Sequence, residues 1–288
     1  MPKRQSVLKR PVFCKKSGVK VHTDVFVGPN RPTFNQFRNR PFKANYCFMA
    51  LFTKDDKLAS VVTRNYHLLP VINRFGIRLG LGEATIEEVC NRHSINPVFF
   101  LDIINAFHDS EYFPVEELLS FSPRLIVDYL QRTHNYYLSY VVPKMENQLE
   151  RLIGSGITHT DDLELIKIFF KKYKAELFAH IMDEEESIFP YILRITDAYE
   201  RGVPVADEDL PRSILIYEKE HSDIDQKLSD LKNLVIKFLN AEYDDNLCND
   251  FLITLFRLEQ DIIDHARIED KILVPIVYRI EKAVKNGK

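Results

Sequence analysis

Two stretches of the chain repeat one pattern: "HIMDEEESIFP" at residues 180–190 and "HARIEDKILVP" at 265–275, each His, three residues, Glu, five residues, Pro. On an α-helix, residues four apart differ by about 40° around the axis, with Cβ atoms roughly 5–6 Å apart. His180 with Glu184, and His265 with Glu269, can therefore each reach one cation. Neutral imidazole with carboxylate is a ligand set for iron, manganese or zinc. Composition alone predicts about 0.7 His-x-x-x-Glu pairs in this chain, and about 0.03 once a proline six residues further on is required. Two such copies point to function rather than coincidence.

Such pairs need helices that bring them to one level. Four long apolar-periodic segments with start signals run from about Ser122-Pro123 to Ile153, Thr160-Asp161 to Tyr199, Pro211 to Leu239, and Asp245 to Val284. "GSGITHT", "ERGVPVADEDLP" and "NAEYDD" supply the breaks between them. Short connections imply antiparallel neighbours. Each segment carries one histidine of interest: His134, His180, His221 and His265. His134 and His180 lie equally far from the first turn near Ile157, and His221 and His265 equally far from the second near Tyr243, roughly 35 Å along the helix in each case. Four imidazoles and the carboxylates of Glu184 and Glu269 should meet at one height. Six buried polar groups are hard to reconcile with a core unless a cation pairs them. Asp225, four residues after His221, is a candidate seventh ligand or outer-shell acceptor. His22, His67, His93, His108 and His159 fall outside the register. Tyr136, Tyr137, Phe178 and Phe189 read as core walls, and of the acidic run "DEEE" the spacing singles out Glu184 alone. Pro190 and Pro275 should kink their helices beyond the site.

The expected fold is all-α: an antiparallel four-helix bundle over 120–285, preceded by a small helical domain over 49–110. In that domain residues 56–75 are apolar at helical spacing. Thr85 and Glu88 form a capping box, and Pro97 opens a further helix. No apolar run is long enough for a membrane span, and no signal-peptide pattern stands at the N-terminus. Cys14, Cys47, Cys90 and Cys248 form no CxxC and read as reduced thiols of a cytoplasmic protein. Residues 1–48 hold eleven basic residues against Asp24 alone, giving +10; the chain total of −3 therefore leaves −13 for the rest. This segment reads either as a basic disordered arm or as an extension ahead of a start at Met49, and any nucleic-acid contact is expected through it alone.

The residues His134, His180 with Glu184, His221, and His265 with Glu269 match one for one the metal pattern of the hemerythrin-like di-iron proteins. "HIMDEEESIFP" resembles the phrase that carries that family's second-helix ligands. Within the family the chain resembles the iron–sulfur cluster repair (repair of iron centres) proteins, because "LASVVTRNYHLLPVINRFGI" and "TIEEVCNRHSINP" are similar to their small N-terminal domain. The resemblance implies two bridged non-haem iron ions, small-molecule partners such as NO, O2 or peroxide, iron–sulfur proteins as clients, and a role in stress repair. The other class it implies is an O2- or NO-sensing module without turnover. Two departures stand out. Asp225 occupies the position of the extra histidine of oxygen-carrying hemerythrins, and Gly80-Leu81 stand where the repair proteins carry paired cysteines, which removes a thiol step from that domain.

Overall fold

The structure, a computed structural model, describes residues 50–157, 161–203, 205, 214 and 222–285, except for the side chains of 222–225. His221, Cys14, Cys47, His22, His159 and residues 1–48 lie outside the described residues. The chain divides into two units at Phe48 and Met49. Every regular element among the described residues of the second unit is a helix, with one isolated bridge between Lys57 and Thr85.

The first part of this unit holds α1 (Leu58–Arg64), α2 (Leu69–Arg74), α3 (Ile86–Arg92), α4 (Pro97–His108) and a short α5 (Val115–Leu118). The apolar run at 56–75 is not one helix. Asn65 leaves the helical region at φ −145°, and its side chain accepts from the His67 amide, so α1 ends and a 3₁₀ turn precedes α2. Thr85 and Glu88 form the expected reciprocal box at the start of α3. Asn96 caps α4, with Pro97 at its first position. Asn105 of α4 bonds both the amide and the carbonyl of Phe52, at 2.8 and 3.0 Å, which ties the entering segment of chain to the helix.

The bundle consists of α6 (Pro123–Tyr136), α7 (Val142–Gly154), α8 (Asp161–Asp183), α9 (Phe189–Glu200), α10 (Ser222–Phe238), α11 (Asp245–Ile268) and α12 (Val274–Lys285). The pairs α6 and α7, α8 and α9, and α11 and α12 are continuous except for one π turn each, over Tyr137–Val141, Glu184–Ile188 and Glu269–Leu273. The Ile157 amide bonds the Glu242 carbonyl at 3.0 Å, and the Asp244 amide bonds Ser155 Oγ at 3.1 Å. Both short turns thus sit at one end, where α7 and α10 finish and α8 and α11 begin.

The core falls into two clusters. Met145, Leu149, Phe170, Leu231 and Phe251 belong to the one near the turns. The other unites the far ends of the bundle helices (Ile126, Phe189, Ile192, Val277) with Leu58, Ile72, Phe99 and Phe100 of the preceding helices. The first five helices therefore share a core with the bundle. Arg267 of α11 strengthens that attachment by donating to the Ala106 and Ser110 carbonyls at 3.3 Å and to that of Tyr112 at 3.4 Å. Cys90, whose thiol burial pushes up to about 12, and Cys248, also pushed up chiefly by burial, are free thiols with little thiolate character.

Candidate metal centre

Between the two apolar clusters lies a polar layer, and the π turns build it. In each, the residue before a proline donates its amide to the carbonyl five residues back: Val142 to Tyr137, Phe189 to Glu184, Val274 to Glu269. The physical cause is Pro143, Pro190 and Pro275. Proline has no N–H for the carbonyl four residues back, and its ring clashes with it. An inserted residue relieves the clash by widening one turn, without a sharp break. The prolines expected to kink the helices beyond the site therefore shape the turn that begins at each glutamate.

Five of the six expected residues converge. Single ligand atoms of His134, Glu184, His265 and Glu269 all lie within 4.8 Å of one another, and all four residues are buried. His180 joins them, its Nε2 3.1 Å from Glu184 Oε1, while the other oxygen of Glu184 is 3.1 Å from His134 Nε2. His265 Nε2 lies 3.1 Å from Glu269 Oε1 and 3.1 Å from His134 Nε2. The sixth, His221, lies outside the described residues, as does the side chain of Asp225. Three imidazoles thus turn the same nitrogen toward two buried carboxylates. Buried carboxylates at this spacing carry a strong mutual repulsion that a cation relieves, and the donor set suits a divalent transition metal. The residues present therefore fit a metal such as iron.

Glu185, passed over by the spacing argument, has a defined task. Its Oε1 accepts from His134 Nδ1 at 2.8 Å, and its Oε2 accepts from Gln131 Nε2 at 2.7 Å. With Nδ1 carrying that proton, Nε2 is the nitrogen left to face a metal. Burial pushes the Glu185 carboxyl up, but the bonds from His134 and Gln131 outweigh it and hold the carboxyl below its usual range. The sequence carries no local signal for Glu185, since a residue that follows Glu184 lies about 100° further round the helix, where either a neighbouring helix or water can meet it. Glu185→Gln should preserve the helix and weaken metal binding by about 10–100-fold, read by competition with a chelator. Wild-type affinity in that variant would remove Glu185 from the site.

The cavity beside the layer measures about 20 Å³, the scale of a single small molecule. It is lined by His134, His180, Glu184, His265 and Glu269 together with Tyr137 and the apolar side chains of Leu177, Ile181, Ile262 and Ala266. Tyr137 is thus a wall of the site and not of the core alone. Phe189 stacks on His134 with centroids 5.5 Å apart, as a core wall should. Of the histidines expected outside the register, His108 pairs with Asn65 (3.1 Å) and His67 packs on Tyr66, both away from the layer.

Burial lowers the His134 pKa, yet hydrogen bonds to Glu184 and Glu185, with the charges of Glu184 and Glu269, raise it to about 9. In the metal-free protein an imidazolium is thus the counter-ion of the layer. A raised histidine contributes stability that is complete below its unfolded value near 6.5 and is lost as pH rises through about 9. Metal-free protein should therefore lose stability between about pH 6.5 and 9, by up to about 3 kcal/mol. A bound cation takes the proton's place, so metal affinity should rise over the same window, and denaturant titrations at several pH values check both. A flat metal-free profile would contradict the assignment.

None of the curated proteins compared with the chain matches it. The family model for the hemerythrin HHE cation binding domain matches residues 126–277, more than half of the chain and a span that includes all of the converging residues. The described elements are all helices, and buried His and Glu side chains that could hold a metal ion gather inside that span; the chain belongs to the hemerythrin HHE cation-binding family.

Proposed function

We propose that the chain is a cytoplasmic non-haem di-iron protein acting on NO or reactive oxygen species, in the repair of iron–sulfur clusters after nitrosative or oxidative damage. One observation carries the di-iron reading. The two oxygens of Glu184 face different imidazoles, His134 and His180, each at 3.1 Å. This placing supports the di-iron reading, because one buried carboxylate would then serve imidazoles on two separate helices. In this reading Glu184, Glu269, His134, His180, His221 and His265 would hold the iron, the carboxylates supplying negative charge and the imidazoles neutral nitrogen donors. Bound iron would supply open coordination positions and one-electron redox chemistry. The chain's own residues do the rest: Leu177, Ile181, Ile262 and Ala266 give the cavity an apolar wall that favours small, weakly hydrated molecules over polar substrates, and Glu185 keeps the His134 proton on Nδ1.

The repair role rests on the resemblance of the first helices and of the ligand pattern to the cluster repair proteins. A second reading, ligand sensing without turnover, is favoured by a different observation: Arg74 of α2 pairs with Asp261 of α11, and Asp261 accepts from Tyr137 in the cavity wall at 3.0 Å. No helix among the described residues is long and apolar enough to cross a membrane. The test is metal content and visible absorption after iron-replete expression, followed by anaerobic addition of NO to the reduced protein. Catalytic NO consumption supports repair chemistry, and stoichiometric binding supports sensing. Less than about one metal per chain would sink the di-iron reading.

A further inference from the structure

The candidate ligands His134 and His265 are held differently. His134 is oriented by the Glu185 carboxylate on its Nδ1. The Nδ1 of His265 is buried and has no hydrogen-bond partner among the described residues. A ligating histidine is ordinarily oriented through its second nitrogen; beyond the contacts of its Nε2 with Glu269 and His134, the ring of His265 is held by packing. Tyr137 meets it edge-on, with centroids 5.8 Å apart and ring planes at 68°.

Tyr137 is in turn held at its far end. Its hydroxyl donates to Asp261 Oδ1 at 3.0 Å, and that oxygen also accepts from Arg74 Nη1 at 2.9 Å, while Arg74 Nη2 pairs with the second carboxylate oxygen. Two parallel bonds fix the carboxylate plane as well as its position. Arg74 is 2% exposed, and its guanidinium lies 4.9 Å from the Tyr136 ring centre and 5.7 Å from that of Tyr137. A buried guanidinium held in this way cannot shift without giving up all of these contacts together. Arg74 belongs to α2, outside the bundle.

We propose that Arg74 is a positioning residue for the metal centre: acting through Asp261 and Tyr137, it fixes the imidazole of His265, so that the bundle's site is completed from outside the bundle. The inference rests on the metal-centre reading above. It gives the small N-terminal helices a task that needs no cysteine, in keeping with Gly80 and Leu81 where thiols would otherwise stand.

The test uses the full chain. Tyr137→Phe keeps the ring and leaves the ion pair intact; Arg74→Met with Asp261→Leu removes both charges together and so avoids an unpaired buried charge. Iron-loaded wild type and variants are challenged with a chelator, and the imidazole proton signals of His265 are followed by NMR in the metal-free proteins. Both variants should release iron about tenfold faster or more, both should displace the His265 signals, and combining them should add little, because they cut one path. A merely structural role would lower the melting temperature while leaving release rate and His265 signals at wild-type values, and that result overturns the proposal. If wild type itself holds no iron, the di-iron reading fails separately. The NMR comparison then decides: displaced His265 signals sustain the positioning role, and unmoved signals end it.

Discussion

Arg74→Met alone is expected to lower folding stability by about 3–5 kcal/mol, because it strands the partly buried Asp261 carboxylate without its cation. The loss comes from the orphaned charge more than from the missing contact. Asp261→Leu added to it should therefore recover much of the stability, leaving a deficit of about 1–3 kcal/mol from the Tyr137 hydroxyl, which then loses its acceptor. Adding Tyr137→Phe should remove most of what remains. Urea unfolding of the four proteins measures this directly. A single-variant loss below about 1 kcal/mol would show that water reaches Asp261 and that the pair contributes little more than a surface ion pair.

The second large effect concerns the carboxylates. Glu184→Gln should abolish most metal binding, because the amide keeps the shape but not the charge at a side chain that faces two imidazoles. Glu269→Gln should weaken binding as well, since it removes the charge that lies 3.1 Å from His265 Nε2. Neither change should unfold the metal-free protein: each gives up part of the stabilisation that the His134 imidazolium draws from the carboxylates, but removes the desolvation cost of one of two mutually repelling buried charges. Metal analysis beside a circular dichroism melt separates the two effects. Full metal content in Glu184→Gln would eliminate this residue as a ligand.

Much of the site can be read from spacing. Histidine and glutamate four residues apart share a helix face whatever the tertiary structure, and equal distances from a turn put two helices' residues at one level. That arithmetic brings His134, His180, Glu184, His265 and Glu269 together, and the structure gathers them in one layer. The same reasoning passes over Glu185, because a residue adjacent to a ligand lies about 100° further round the helix. Only the neighbouring helix decides whether it meets His134 or water. The prolines are an intermediate case. Pro190 and Pro275 are plain in the sequence and predict a kink, yet they, like Pro143, stand at widened π turns, because each carbonyl that loses its helical donor lies within a continuous, packed helix.

The all-helical character of the chain, and the sharing of one helix face by His180 with Glu184 and by His265 with Glu269, were determined by the sequence alone, since helical period, capping residues and turn breakers act over a few residues. The merging of the first helices into the bundle's core was decided by tertiary packing. So was the line from Arg74 through Asp261 and Tyr137 to His265, whose first two members stand 187 residues apart. No local rule links such residues. Their partnership exists because burial of the guanidinium demands a carboxylate, and only the folded chain supplies one at that place.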